Sequence, residues 1–266
     1  MTGPTARLGA QLGHERAVLG GGLLAIAGLA WLYLLRLAAA MPGTDMAGMA
    51  MPQAHPWGAV DLLFQFVMWA VMMIAMMTPA ASPMILTFAM VYRRRRVQAR
   101  PVVSTGIFLL GYLVVWTAYA ALGALGQWGL RAAGLLSPAL ASTSALLGGG
   151  LLVAAGVFQW TPLKRACLVG CRSPLTFLMT GWREGRLGAF VMGLRHGAYC
   201  VGCCWGLMAL LFVAGVMNLV WVATLAAFVL VEKLAPRGEA IGRLAGVALL
   251  LAGLVVLATA SSFPGG

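Results

Sequence analysis

The stretch Arg195-His196-Gly197-Ala198-Tyr199-Cys200-Val201-Gly202-Cys203-Cys204-Trp205-Gly206-Leu207-Met208 decides how the chain is read, because it sets thiols and an imidazole inside a strongly apolar run. In a helix, residues three and four apart stack on one face, so His196, Cys200 and Cys203 form a stripe with Cys204 beside it. The apolar run around them, from about Leu187 to Val216, is long enough to cross roughly 30 Å of hydrocarbon. Cysteine also packs as a small buried hydrophobe, and small residues let membrane helices approach closely. One cysteine would carry no more than that bland reading. Three cysteines and a histidine at helical spacing point instead to a ligand stripe, since ionisable groups at membrane depth are costly and mark function.

Outward from that stretch the same apolar character persists. The 266 residues are 62% hydrophobic and 9% charged, with a mean hydropathy of +0.93. Repeated apolar runs beyond about 18 residues exclude an ordinary soluble domain, and the absence of strand alternation excludes a β-barrel. The expected fold is all-α: a polytopic transmembrane helical bundle with about seven spanning helices and a cytoplasmic N-terminus. The net charge of +12 does not point to nucleic acid, because Arg and Lys cluster between apolar runs, where they set orientation. All five cysteines, Cys167, Cys171, Cys200, Cys203 and Cys204, lie in the C-terminal half, unlike a secreted disulfide framework.

Taken in order, residues 1–16 read as a cytoplasmic tail and 17–40 as the first transmembrane helix, with Arg36 near its end. Residues 41–57 form a Met-rich extracytoplasmic loop, in which Met46, Met49, Met51 and His55 are candidate metal ligands. Pro79 and Pro83 are expected to kink or end the next apolar run, Trp57 to Tyr92. Within it Met68, Met72 and Met76 share one face and Met73 and Met77 the adjoining one, either as adaptable packing or as a ladder of soft ligands. Asp61 is a polar anchor or an entrance ligand. Arg93 to Arg96 and Arg100 mark a cytoplasmic loop, which orients the rest.

Helices three and four are expected at about Val103 to Leu125 and Leu140 to Trp160. Cys167 and Cys171 follow, one helical turn apart, where the neighbouring cations Lys164, Arg165 and Arg172 favour thiolate. The thiol helix comes fifth, then a sixth at about Leu219 to Val231 and a seventh at about Ala245 to Ser261, closing a core over 58–261 before a tail at 262–266. Glu232-Lys233 reads as a solvated surface pair; facing inward, it would pair with Arg195 or hold a ligand.

Several of these pieces coincide in a way that resembles a known family. They are Met72-Met73-Ile74-Ala75-Met76-Met77-Thr78-Pro79-Ala80, the segment from Phe158 through Lys164 to Cys167 and Cys171-Arg172-Ser173-Pro174, the run from His196-Gly197 to Cys203-Cys204-Trp205 and Met208, and Glu232-Lys233. Together, over roughly residues 60 to 236, they resemble the DUF2182 family, bacterial membrane proteins described as predicted metal-binding integral membrane proteins. The resemblance implies metal binding, often copper, and leaves the activity open.

Ligand softness and location favour copper from the residues themselves. Thioether and thiol donors suit Cu(I), whereas Asp61 and Glu232 are the carboxylates near the crossings, too sparse for Mg, Ca or Mn. The expected route has Met46, Met49, Met51 and His55 capturing Cu(I), and Met72, Met73, Met76 and Met77 relaying it. His196, Cys200, Cys203 and Cys204 then hold it, and Cys167 and Cys171 accept it at the inner surface. Zinc on His196 and three thiols is chemically reasonable, provided another element approaches to close the tetrahedron. The expected partners are membrane lipid, the metal ion, and a copper chaperone or cuproenzyme, in a multi-pass protein of a bacterial inner membrane. No ATP-binding loop or aspartyl-phosphate segment is evident, so any transport would be passive or gradient-driven, and an enzyme is the less favoured class. Two alternatives stay open: a membrane thiol-disulfide oxidoreductase using the Cys200-x-x-Cys203 pair, and an assembly factor for a cuproenzyme.

Overall fold

The computed structural model describes residues 4–40, 58–95, 101–137 and 140–262, and among them every extended element is helical. In chain order these are α1 (Pro4–Ala40), α2 (Ala59–Arg95), α3 (Pro101–Ala132), α4 (Ala145–Phe158), α5 (Pro162–Arg172), α6 (Pro174–Gly181), α7 (Gly185–Ala209), α8 (Leu211–Ala214), α9 (Leu219–Leu234) and α10 (Gly238–Ser262). An apolar segment in lipid must satisfy its own backbone, which a helix does internally.

Among the described residues, five stretches are long and apolar enough to cross a membrane: Glu15–Ala40, Ala59–Arg95, Val102–Ala132, Gly185–Ala214 and Gly238–Ala260. A sixth arises if α4 and α5, bent by 66° at the break between them, count as one span. The chain is therefore a multi-pass helical membrane protein. The expected count of about seven is not reached by length, and two elements explain the difference. Helix α9 has 16 residues, about 24 Å at the helical rise, short of a full crossing. Helix α4 stops at Phe158, and Pro162, lacking an N–H, starts a new helix behind the Thr161 cap.

The prolines of the methionine helix do not end it. Helix α2 runs through both Pro79 and Pro83. Pro83 cannot donate to the carbonyl four residues back, that of Pro79, and the Ser82 hydroxyl donates to that carbonyl instead at 2.8 Å. Thr87 donates to the Pro83 carbonyl at 2.7 Å, the ordinary back-bond of a helical threonine one turn on. The Ser82 hydroxyl thus re-satisfies the carbonyl that Pro83 frees, one way prolines are tolerated inside membrane helices.

Two helix pairs are held at backbone contact. Helices α3 and α7 meet where Gly193 lies against the Phe108 carbonyl and Gly111 against the Phe190 carbonyl, so that a Cβ at either position would strike backbone. Gly156 and Gly246 bring α4 and α10 together in the same way. Without a hydrophobic drive between helices in lipid, such close approach supplies the packing energy. Charged side chains fasten other elements. Arg93 on α2 pairs with Glu15 on α1, Arg95 stacks 4.9 Å from the Trp182 ring after α6, and Arg165 on α5 reaches Glu239 on α10 at 2.9 Å.

Replacing Gly193 by Ala should force α3 and α7 apart and cost about 1–3 kcal/mol. The matching change at Gly106, which has open space around it, should not destabilise the fold. Thermal unfolding in detergent separates the two: a lower midpoint for G193A and none for G106A.

Candidate metal centre

The thiol stripe lies on α7, and all of it is buried: His196 is 2% exposed and Cys200, Cys203 and Cys204 are 0%. Cys203 and Cys204 turn their sulfurs back along the helix, donating to the Cys200 carbonyl at 3.2 and 2.7 Å. The second wall is α5. Its first turn is fixed by the Thr161 hydroxyl, which accepts from the Lys164 N–H at 3.2 Å. Its small residues then let it settle on α7: Gly170 sits against the Tyr199 ring, and the Cys167 sulfur lies over Gly202. This brings Cys171 Sγ to 3.8 Å from Cys203 Sγ, and the Cys171 thiol also reaches that of Cys200.

The cation on this cluster comes from a place the sequence reading put on the surface. Glu232 and Lys233 are buried, at 1% and 7% exposure. Glu232 is held by Lys164, whose Nζ stands 2.7 and 2.9 Å from its two carboxylate oxygens. Lys233 points the other way and donates to Cys200 Sγ at 2.8 Å. The expectation of a solvated Glu232-Lys233 pair is therefore corrected, and the inward partner of Glu232 is Lys164, not Arg195. The cations expected to serve Cys167 and Cys171 are engaged elsewhere. Lys164 is on Glu232, Arg165 on Glu239, and Arg172 on the carbonyls of Ala235 and Pro236 at 2.5 and 3.1 Å.

Tyr112 on α3 joins the methionine helix to the thiols. Its hydroxyl donates to the Met77 carbonyl at 3.1 Å and lies 3.2 Å from Cys200 Sγ. Met72, Met73, Met76 and Met77 are all buried on α2. His196 is enclosed by the rings of Tyr112, Phe177 and Phe108, with centroids at 5.5, 5.8 and 6.1 Å, and its Nδ1 has no hydrogen-bond partner among the described residues. Asp61 accepts from the Gly58 N–H at 2.9 Å, the behaviour of a polar anchor at the start of α2. Met46, Met49, Met51 and His55 lie outside the described residues.

Chemically, the cluster is a buried pocket of soft donors with one ammonium. Among the described residues, no group of three or more His, Cys, Asp or Glu is arranged to hold a metal, so the closed zinc tetrahedron of His196 with three thiols is not formed. The Cys171–Cys203 separation of 3.8 Å nevertheless matches two ligands of one ion, since sulfurs about 2.3 Å from a shared tetrahedral metal stand about 3.8 Å apart. Tyr112 is the participant that sequence reasoning missed, while Lys164 and Lys233 were read with other partners. For the lysines the signal was partial: charges at the ends of apolar runs need a partner, but the sequence does not name which one.

A protein-family model described as PpoB2, copper chaperone, matches residues 66–256, more than half of the chain. No curated protein and no solved structure matches it.

The Lys164–Glu232 pair is buried on both sides, so losing one partner strands a charge. Lys164→Met should destabilise the protein by about 3–5 kcal/mol, and adding Glu232→Met should recover most of that loss. Unfolding midpoints of the single and double variants check it; an additive loss would contradict it.

Proposed function

Because the chain belongs to the PpoB2 copper chaperone family, we propose that it binds Cu(I) within the membrane at the thiols of Cys171, Cys200 and Cys203 and hands the ion onward. The observation that carries this reading is the approach of half-buried Cys171 on α5 to buried Cys203 on α7 at 3.8 Å, beside buried Cys200. Cu(I) is a soft ion that must exchange water for protein ligands before it can rest in an apolar bundle, and low-charge sulfur donors suit it better than carboxylates. Cys204 and His196 complete the donor set on α7. The Nδ1 of His196, without a hydrogen-bond partner among the described residues, supplies a lone pair or proton site at the edge of the cluster.

The route to the thiols runs along α2. Met72, Met73, Met76 and Met77 present thioethers in the core, and Met77 stands one tyrosine away from Cys200. Met46, Met49, Met51 and His55 capture the ion before that ladder. Cys167, half-buried on α5, and Cys171 pass it to a chaperone or cuproenzyme at the other end. Orientation follows from charge. The starts of α1 and α10, the end of α2 and the α5 segment carry the interlinked Arg and Lys residues, so this side faces the cytoplasm of a bacterial inner membrane and the Met-rich loop faces out.

The same Cys171–Cys203 approach also favours a second reading, thiol-disulfide exchange, in which the two sulfurs cycle between thiols and a disulfide. Copper content separates the two. Purified protein loaded with Cu(I) under reducing conditions should retain copper, and Cys171→Ser or Cys203→Ser should weaken binding at least about tenfold. Equal copper retention by wild type and serine variants, with redox-dependent thiol trapping of the wild type, would support exchange instead.

The methionine ladder is tested by keeping volume and removing sulfur. Met76→Leu with Met77→Leu should leave the unfolding midpoint within the about 1.5 kcal/mol expected of each such swap. Rapid-mixing measurements should show slower Cu(I) loading at the thiols; unchanged loading would assign these methionines to packing.

A further inference from the structure

We propose that Lys233 sets the valence of the metal accepted by the thiol cluster, favouring a monovalent soft ion over a divalent one; this rests on the copper-binding reading of that cluster. Lys233 is 7% exposed, and its Nζ lies 2.8 Å from Cys200 Sγ. Its chain neighbour Glu232 is engaged on both carboxylate oxygens by Lys164, at 2.7 and 2.9 Å. Arg172 is spent on the carbonyls of Ala235 and Pro236. Of these charged groups, the Lys233 ammonium is the one set against sulfur.

Thiols brought near one another from two helices, as Cys171 and Cys203 are, are the donor type that zinc also takes. The ammonium bears on that choice through Coulomb's law. A fixed positive charge repels an arriving cation in proportion to that cation's own charge, and a low-dielectric interior screens the force poorly. At the same position a divalent ion meets twice the repulsion that a monovalent ion meets. The ammonium also occupies a lone pair of Cys200, while the Tyr112 hydroxyl stands 3.2 Å from the same sulfur. Fewer directions remain open at that sulfur, which suits an ion of low coordination number over one that needs a closed tetrahedron. Lys233 is thus a specificity-determining residue that acts through charge and position and need not touch the metal.

The test uses the full chain in detergent under reducing conditions, titrated separately with Cu(I) and Cd(II) against competing chelators. Cd(II) is the divalent probe because its thiolate complexes absorb in the ultraviolet. Lys233→Met removes the charge at similar length, Lys233→Gln is a second neutral variant if the first is not monodisperse, and Lys233→Arg keeps the charge. The neutral variant should narrow the preference for Cu(I) over Cd(II) at least about tenfold, chiefly by tighter Cd(II) binding, while the arginine variant keeps the wild-type preference. An unchanged ratio in the neutral variant, a parallel loss of both ions, or an equal narrowing in the arginine variant overturns the proposal. A wild-type chain that binds no Cu(I) refutes the copper reading itself, a result distinct from an unchanged ratio.

Discussion

The ion pair between Lys164 and Glu232, with Lys233 next along the chain turned onto Cys200, ties α5, α7 and α9 into one unit. Charge taken out of water must find a partner or cost several kcal/mol per ion, so these contacts do not tolerate loose packing. Once α9 is placed by Glu232, the position of Lys233 follows, and with it the sulfur that faces the ammonium. The bend of 66° between α4 and α5 serves the same end. It turns α5 across the bundle so that Lys164 meets Glu232 near its start and Cys171 meets Cys203 near its end.

Much of the fold was legible in the sequence, since apolar runs long enough for lipid have few alternatives to a helix. The thiol stripe of His196, Cys200, Cys203 and Cys204 is likewise readable from helical spacing. What resisted reading was anything set by contact between distant segments. Glu232 and Lys233 look like a surface pair because adjacent opposite charges usually are one, and nothing local reveals that they point in opposite directions. Pro79 and Pro83 look like breaks because proline removes a donor, whereas the carbonyl that Pro83 frees is served by the Ser82 hydroxyl, which shows only once that carbonyl is placed. Tyr112 carries no motif at all, and its role appears only where α3 brings it between Met77 and Cys200.

Family membership and geometry bear on different halves of the functional question. The family names copper, and the fold offers thiols from α5 and α7, with one tyrosine hydroxyl joining α7 to the methionine helix. A chaperone must release what it binds, and a cluster built from side chains of separate helices suits that task better than a rigid closed cage. Small relative movements of α5 and α7 alter sulfur separations without breaking the backbone of either.

The glycine contacts between α4 and α10 bear on how the protein is made. Helix α4 has 14 residues, about 21 Å, too short to satisfy a bilayer alone, and its close partner is synthesised some eighty residues later. The contact between α4 and α10 therefore forms only after the last helix of the chain has been made. Since α5 continues directly from α4, an element that helps position the sulfurs gains its full packing only once the last helix has been made.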